Sequence, residues 1–202
     1  KIIAIFRNIS NDEILCTAEA LYNGGIRLME VTFDQSGRFS EEYTAKQISL
    51  IASHFGDGLL VGAGTVLTER QVAIARDAGA KYIISPNTDE KVIKKTNECG
   101  MVSIPGALTP TEIQYAHACG ADFVKLFPAD NLGIGYIKAV LAPLSHIKLL
   151  AVGGVNENNL KDFLNVGVKG VGIGSNITKK ELIKQGQYDE ITKLAKKYTI
   201  QI

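Results

Sequence analysis

The chain has 202 residues, of which 46% are hydrophobic and 21% are charged, and its formal net charge at pH 7 is +1. This composition is typical of a soluble globular protein, and the near-zero charge excludes a general electrostatic field for nucleic acid or an anionic membrane. No apolar run approaches the roughly 18 residues of a membrane-spanning helix.

Short apolar segments typical of buried strands alternate with segments of helical periodicity from end to end. The predicted strands, in chain order, are Ile2–Phe6, Ile26–Thr32, Leu59–Val61, Tyr82–Ile84, Val102–Ile104, Phe123–Phe127, Lys148–Val152 and Gly170–Ile173. Helix-capping residues precede several of the intervening segments, at Ser10, Thr68, Thr88-Asp89, Thr109 and Asn156.

Eight strand–helix units of about 20 to 25 residues fit the chain. Strands that are apolar throughout and alternate with helices predict a parallel sheet covered on both faces. The predicted fold class is therefore α/β, as a single (β/α)8 TIM barrel of eight parallel strands, with an open, doubly wound sheet as the alternative. No linker or change in composition divides the chain, so we expect one domain over residues 1–202.

Three cysteines, Cys16, Cys99 and Cys119, form no Cys-x-x-Cys pair, and we interpret them as reduced thiols of a cytoplasmic protein. We do not expect residues 1–7 to be a signal peptide, because this apolar segment is too short and no small-residue cleavage site follows it. No cluster of His, Cys and carboxylate residues has the spacing of a metal site, so no metal is expected. The histidines His54, His117 and His146 fall in or after predicted helices, away from the expected site.

Barrel enzymes carry their function where the strands end and the following loops begin. In this chain those positions hold polar residues and residues that allow close backbone approach: Arg7, Glu30, Thr65, Pro86, Lys125, Gly153, Gly154, Gly174 and Ser175.

Lys125 lies inside the apolar run from Phe123 to Pro128, which is typical of a buried strand. Burial disfavours the charged ammonium and lowers the pKa of a lysine. A lysine that is neutral near neutral pH is a nucleophile that forms a Schiff base with a carbonyl compound. The alternative is a lysine at the strand end whose ammonium group reaches solvent.

Glu30 is a carboxylate within the apolar strand that ends at Thr32. Burial raises the pKa of such a group unless a cation pairs with it, and the group can then act as a general acid or base. The alternative is a structural salt bridge to Lys125 or Arg7. Together, Lys125 and Glu30 can supply a complete Schiff-base mechanism for carbon–carbon cleavage.

Glycine-rich segments follow three predicted strands. One segment is Gly62-Ala63-Gly64-Thr65, in which the glycines allow the backbone to approach a ligand closely and Thr65 supplies a hydroxyl group. The alternative is a tight loop that caps the following helix and binds nothing. Gly153-Gly154 and Gly172-Ile173-Gly174-Ser175 occupy the ends of the seventh and eighth strands, where barrels often bind phosphate on backbone N–H groups. We therefore expect a phosphate site there.

These residues, in this order, resemble the bacterial KDPG/KHG aldolase family. The matching segments cover nearly the whole chain and are Gly24–Thr32, Val61–Leu67, Ile84–Pro86, Ile104–Gly106, Phe123–Ala129, Gly153–Val155 and Gly172–Ser175. The resemblance implies a class I aldolase without a cofactor, usually a homotrimer. Its substrate would be 2-dehydro-3-deoxy-6-phosphogluconate, cleaved to pyruvate and glyceraldehyde 3-phosphate, or 4-hydroxy-2-oxoglutarate, cleaved to pyruvate and glyoxylate.

The resemblance also implies roles for individual residues. It places the Schiff-base lysine at Lys125 and the acid/base glutamate at Glu30. It further implies that Thr65 contacts the pyruvate part, and that Gly153, Gly154 and Ser175 contact the phosphate.

Two positions depart from the family pattern. Asp34 stands where well-known members have an arginine for the substrate carboxylate, and Ala151-Val152 stands where many have Pro-Thr. We expect Arg7 to supply the missing cation, or else to pair with Glu30 or Asp34. The departures keep two other functions open: a different phosphosugar enzyme such as an isomerase, and a catalytically weakened barrel that binds phosphorylated metabolites.

Overall fold

A parallel sheet of nine strands forms the centre of the molecule, and the helices surround it. The computed structural model describes residues 1–202. In chain order the elements are β1 (Ile2–Phe6), α1 (Asn11–Asn23), β2 (Leu28–Thr32), α2 (Glu41–Phe55), β3 (Leu60–Gly64), α3 (Glu69–Asp77), β4 (Tyr82–Ile84), α4 (Glu90–Glu98), β5 (Val102–Ile104), β6 (Gly106–Ala107), α5 (Pro110–Ala118), β7 (Val124–Leu126), α6 (Ala129–Leu141), β8 (Leu149–Val152), α7 (Leu160–Asn165), β9 (Gly170–Ile173), α8 (Lys180–Lys184) and α9 (Tyr188–Thr199). A 3₁₀ turn at Gly56–Gly58 precedes β3.

All strand pairings are parallel, and the order in the sheet is β5-β4-β3-β2-β1-β9-β8-β7-β6. The two outermost strands, β5 and β6, are separated in the chain only by Pro105. The backbone N–H of Lys125 donates to the Pro105 carbonyl at 2.8 Å, and the N–H of Asp122 donates to the Ser103 carbonyl at 3.1 Å. These bonds join the two ends of the sheet into a barrel, an arrangement that an open, doubly wound sheet does not have.

The predicted parallel α/β barrel is confirmed, but the predicted count of eight strands is off by one. Proline has no N–H to donate to a strand ladder. Pro105 therefore interrupts what would be the fifth strand of the barrel and divides it into β5 and β6.

The observed β3 runs to Gly64, three residues beyond the predicted end at Val61. Glycines weaken a strand signal in sequence, but here they leave room inside the barrel. A Cβ atom on Gly62 would lie 2.2 Å from the ring of Tyr82, and one on Gly64 would lie 1.7 Å from Glu30 Oε1. The segment predicted to be a loop is thus a strand that accommodates two large inward-pointing side chains.

Helix starts follow the predicted capping residues at Ser10, Thr68, Asp89 and Thr109. The helix expected after Asn156 begins later, because Asn159 occupies the N-cap and its side chain accepts a hydrogen bond from the Asn156 N–H at 2.8 Å. No helix is both long enough and apolar enough to span a membrane.

Two hydrophobic clusters stabilise the barrel. A cluster of 49 buried residues fills the space between the strands and the helices. A second cluster of five buried residues packs inside the barrel and consists of Ile3, Tyr82, Ile84, Ile104 and Leu150. This inner cluster closes one part of the interior, and the polar inward-pointing residues lie beside it.

Candidate active site

A cavity of about 520 Å³ opens at the carboxyl ends of the strands. Its lining includes every residue predicted for the site: Arg7, Glu30, Thr65, Pro86, Lys125, Gly153, Gly154, Gly174 and Ser175. These residues come from seven strands or the loops that follow them, namely β1, β2, β3, β4, β7, β8 and β9. Residues far apart in the chain are therefore brought to one site by the closure of the barrel.

Lys125 is the central residue of β7 and points into the barrel. Its neighbours Val124 and Leu126 point the other way, into the cluster between strands and helices, as the two-residue period of a strand requires. Lys125 is 6% exposed, and its Nζ lies 4.8 Å from the centroid of the Phe127 ring. The alternative of an ammonium group that reaches solvent therefore does not apply.

Burial lowers the pKa of the Lys125 ammonium. The carboxylate of Glu30 opposes this shift, and the positive charge of Arg7 adds to it. Because Lys125 donates no hydrogen bond to a protein acceptor and forms no ion pair, its Nζ is available to a molecule in the cavity. These are the conditions under which a lysine becomes a nucleophile.

Glu30 points into the same cavity from β2 and is 2% exposed. Burial raises the pKa of its carboxyl group, while the charges of Lys125 and Arg7 partly offset that effect. No lysine or arginine nitrogen lies within 4.0 Å of its oxygens, so the structural salt bridge to Lys125 or Arg7 does not form. Its carboxyl group is thus free to exchange protons with a ligand.

The position of Glu30 depends on a lack of side chains around it. Gly64 is the Cα partner of Thr32 in the ladder between β2 and β3, and it leaves the space that the Glu30 carboxyl group occupies. Below it, the Tyr82 hydroxyl donates a hydrogen bond of 2.6 Å to the Met29 carbonyl, which ties β4 to β2. Gly64 thus gives the Glu30 carboxyl group its space, and the Tyr82 bond fixes the backbone beside it, while no hydrogen bond or ion pair neutralises the carboxyl group.

Arg7 follows β1 and reaches across the mouth of the barrel. Its Nη2 donates to the Thr65 Oγ1 at 3.3 Å, and Thr65 has a φ of 56°, an uncommon value for a residue other than glycine. Arg7 makes no ion pair with Glu30 or Asp34, so the alternative expected for it is not observed. The guanidinium group remains available to an anionic ligand.

Asp34 does not line the cavity. Its carboxylate accepts backbone hydrogen bonds from Ser36 at 3.1 Å, Arg38 at 2.7 Å and Phe39 at 3.0 Å. The bond from Phe39 is the main reason that the pKa of Asp34 falls to about 2. Asp34 therefore organises the loop between β2 and α2 and has no carboxylate-binding role.

The two glycine-rich loops lie side by side on the other wall of the cavity. Gly153 and Gly154 have φ values of 101° and 72°, which favour glycine. A Cβ on Gly154 would also lie 2.1 Å from the Asp130 Cβ. The Asn176 side-chain amide donates to the Val155 carbonyl at 2.8 Å, and this bond connects the loop after β8 to the loop after β9. The two glycine-rich loops are thereby held beside one another on this wall of the cavity.

Several cavity residues lie outside the nine predicted site residues: Ile5, Phe127, Val152, Val155, Gly172, Asn176, Thr178 and Lys180. Phe127 and Gly172 belong to the strand-end segments that were predicted to carry function, around Lys125 and before Gly174-Ser175. Asn176, Thr178 and Lys180 follow Gly174-Ser175, but the helix that begins at Lys180 has only five residues and too little periodicity to be recognised.

The chain is similar to proteins of known activity along most of its length. It is 37% identical over 192 residues to the 2-dehydro-3-deoxy-6-phosphogalactonate aldolase of Escherichia coli (strain K12), covering 95% of this chain and 88% of that protein. It is 32% identical over 198 residues to the 2-dehydro-3-deoxy-phosphogluconate aldolase of Haemophilus influenzae (strain ATCC 51907 / DSM 11121 / KW20 / Rd), covering 97% and 90%.

A solved structure extends the similarity to three dimensions. The KDPG aldolase of Legionella pneumophila, with pyruvate captured at low pH as a covalent carbinolamine intermediate, superimposes with a TM-score of 0.87 and 31% identity, covering 96% of this chain and 92% of that one. The family model "KDPG and KHG aldolase" matches residues 1–194. The chain therefore belongs to the KDPG and KHG aldolase family, whose members are carbon–carbon lyases.

Proposed function

We propose that this protein is a class I aldolase that cleaves a phosphorylated 2-keto-3-deoxy sugar acid to pyruvate and glyceraldehyde 3-phosphate through a Schiff base on Lys125. The observation that carries the proposal is the pair of buried, unpaired groups in one cavity, the Lys125 amine and the Glu30 carboxyl. 4-Hydroxy-2-oxoglutarate, which lacks the phosphate, would be cleaved to pyruvate and glyoxylate by the same steps.

The proposed reaction begins when the neutral Nζ of Lys125 attacks the C2 keto carbon of the substrate. The resulting carbinolamine loses water and becomes a protonated imine, which can accept electrons. Glu30 then takes the proton from the C4 hydroxyl, the C3–C4 bond breaks, and its electron pair forms an enamine on the pyruvate part. Protonation of the enamine and hydrolysis of the imine release pyruvate and restore Lys125.

The ends of the substrate would lie on opposite walls of the cavity. Arg7, Thr65 and Pro86 would contact the pyruvate carboxylate, since a guanidinium fork matches a carboxylate with two parallel hydrogen bonds. Gly153, Gly154, Gly174 and Ser175 would bind the phosphate, mainly through backbone N–H groups.

We propose the galacto epimer as the preferred substrate. Val152 lines the cavity where the resemblance implies a threonine in many family members, so this site differs from theirs by the loss of one hydroxyl group. The E. coli phosphogalactonate enzyme is 37% identical to this chain, against 35% for the E. coli KHG/KDPG aldolase and 32% for the H. influenzae phosphogluconate enzyme, and this small difference also supports the galacto epimer.

A pyruvate-release assay tests the proposed function with three substrates: the 6-phosphogluconate-derived acid, its galacto epimer and 4-hydroxy-2-oxoglutarate. We expect both phosphorylated acids to be cleaved, with the highest kcat/KM for the galacto epimer. Binding of these acids without release of pyruvate would favour the weakened metabolite-binding barrel. Conversion without carbon–carbon cleavage would favour the isomerase, in which Lys125 acts only electrostatically.

We also propose that residues 1–202 form one catalytic domain that works in the cytoplasm as a homotrimer. The resemblance to the family supports the trimer, and the three free thiols support a reducing compartment. Analytical ultracentrifugation of the purified protein should give the mass of a trimer. The mass of a monomer or dimer, at enzyme concentrations that retain full activity, would contradict this proposal.

Inorganic phosphate is expected to bind at the glycine-rich wall of the cavity. A titration followed by NMR should shift the backbone amide signals of Gly153, Gly154, Gly174 and Ser175, because N–H groups in these loops would donate to the anion. The amides of Gly37 and Gly100, which lie outside the cavity, serve as an internal control. Shifts confined to loops other than the two glycine-rich ones would contradict the phosphate site.

Arg7→Lys is expected to weaken pyruvate binding and lower kcat/KM by about tenfold. Lysine keeps the positive charge but loses the planar fork, and hydrogen bonds to charged groups contribute about 1.5–3 kcal/mol. Arg38→Lys provides a matched control, because Arg38 lies over the Phe39 ring outside the cavity. If Arg7→Lys shifts only the pH–rate profile and leaves pyruvate affinity near normal, Arg7 does not bind the carboxylate.

A further inference from the structure

We propose that Lys180 determines specificity for phosphorylated substrates by pairing with the phosphate group, an inference that rests on the function proposed above. Lys180 is the first residue of α8 and lines the cavity together with Gly174, Ser175 and Asn176.

The charges in the cavity provide the first argument. The charged residues that line it are Arg7, Glu30, Lys125 and Lys180, which are three basic side chains and one acidic side chain. The Schiff-base step uses Lys125 as a neutral amine, so two cations remain. A substrate with a carboxylate at one end and a phosphate at the other presents two anionic groups, and each can pair with one of these cations.

The arrangement of the strands separates the two remaining cations. Arg7 extends toward β3, where it contacts Thr65 at 3.3 Å. Lys180 follows the loop after β9, and β9 lies between β1 and β8 in the sheet. Lys180 is therefore on the side of the glycine-rich loops, and Arg7 is directed away from them. This places one cation at each end of the substrate.

The segment before Lys180 is held rigidly. The buried Thr178 hydroxyl lies 3.1 Å from both the Ile5 carbonyl and the Gly174 carbonyl, which links the loop after β9 to β1. The N–H groups of Ile177 and Thr178 donate to the same Gly174 carbonyl at 2.9 and 3.0 Å. The backbone at Lys180 thus has a defined position relative to the glycine-rich loops, and only the lysine side chain has to adjust.

No carboxylate neutralises Lys180, since no acidic oxygen lies within 4.0 Å of its Nζ. Glu13 lines a small neighbouring cavity with Lys180, but its carboxylate accepts hydrogen bonds from the Ser10 hydroxyl at 2.6 Å and the Ser10 N–H at 3.2 Å. The ammonium of Lys180 is therefore free for an anion. A lysine binds phosphate as a compact point charge, and it would add charge to a site otherwise formed by neutral N–H groups.

The test compares Lys180→Ala, Lys180→Arg and the wild type on two substrates, the phosphorylated galacto acid and 4-hydroxy-2-oxoglutarate. For Lys180→Ala we expect the ratio of kcat/KM for the phosphorylated to the unphosphorylated substrate to fall about tenfold, through KM more than kcat, because a charge-assisted contact is lost. Lys180→Arg should restore most of the ratio. The inhibition constant of inorganic phosphate should rise with Lys180→Ala in parallel.

Lys179→Ala and Lys184→Ala are the matched controls, since each removes one positive charge from the same segment at a residue that does not line the cavity. Both should keep the wild-type ratio. The proposal is overturned if Lys180→Ala lowers kcat/KM equally for both substrates, if the ratio does not change, or if a control changes it as much. Wild type that releases no pyruvate from either substrate contradicts the proposed aldolase function, whereas an active wild type with an unchanged ratio contradicts only the role of Lys180.

Discussion

Lys125→Ala is expected to abolish both cleavage and covalent trapping, with a loss of kcat greater than about 10³-fold because the nucleophile itself is removed. Treating the wild type with pyruvate and borohydride should reduce the imine and add a stable mass to the peptide that contains Lys125. The variant should give no labelled peptide.

Lys148→Ala is the control for this experiment. Lys148 also lies near an aromatic ring, with its Nζ 5.3 Å from the Phe123 centroid, but it precedes β8 and is outside the cavity. That variant should be trapped and should turn over like the wild type. Labelling of a different lysine in active wild-type enzyme, or retained cleavage in Lys125→Ala, would contradict the mechanism.

The pH dependence of trapping provides a second measurement of the same step. Imine formation requires the unprotonated amine, so the rate rises with pH as Lys125 loses its proton. Burial lowers the Lys125 pKa below the ordinary lysine value of 10.5, so the rise should occur at lower pH than for an ordinary lysine. A midpoint at or above the ordinary value would mean that the amine is not desolvated in solution.

Much of the fold could be predicted from the sequence because one periodic pattern determines it. Apolar strands and capped helices alternate along the chain, and β1, β4, β5 and β9 have the predicted bounds. The division of one barrel strand at Pro105 was not predicted, because it depends on which neighbours the two halves pair with. The extension of β3 to Gly64 was missed for a similar reason, since its glycines are explained only by Glu30 and Tyr82 inside the barrel.

The site could be predicted where strand position and chemistry coincide. All nine predicted residues line one cavity because the carboxyl ends of parallel strands converge in a barrel. Asn176 was missed because it lies in the irregular loop after β9, and Lys180 was missed because it begins the five-residue helix α8, which is too short to give a periodic signal. The loop-forming role of Asp34 was also missed, because it depends on the positions of backbone N–H groups, and these positions cannot be predicted from the sequence.

Burial shifts the pKa values of Lys125 and Glu30 more than their charge interactions do. Burial is the largest influence on both groups, and it lowers the pKa of the amine while it raises the pKa of the carboxyl. A contact ion pair would stabilise both charged forms and so suppress the nucleophile. By keeping the two groups from forming a contact ion pair, the barrel leaves the pKa of the amine lowered and that of the carboxyl raised, with both side chains lining the same cavity.

Glu30→Gln is expected to fold normally and to lower kcat by about 10²- to 10⁴-fold, the usual contribution of a general acid or base. Glutamine has the size of glutamate and can hydrogen-bond, but it cannot carry the proton of the C4 hydroxyl. Trapping of pyruvate at Lys125 should persist, at least at high pyruvate concentration, because the lysine nucleophile is intact. Glu112→Gln is the matched control, since Glu112 caps α5 outside the cavity and glutamine preserves the capping pattern.

A stability measurement on the same variant separates catalysis from structure. The folded-state pKa of Glu30 is raised above its ordinary value of 4.5, so ionisation of Glu30 costs stability as the pH rises from about that value through the folded-state pKa. Glu30→Gln removes this cost, and its free energy of unfolding near neutral pH should equal or exceed that of the wild type. A variant with near-normal turnover, or one that unfolds more easily across the whole pH range, would show that Glu30 supports the barrel and does not transfer protons.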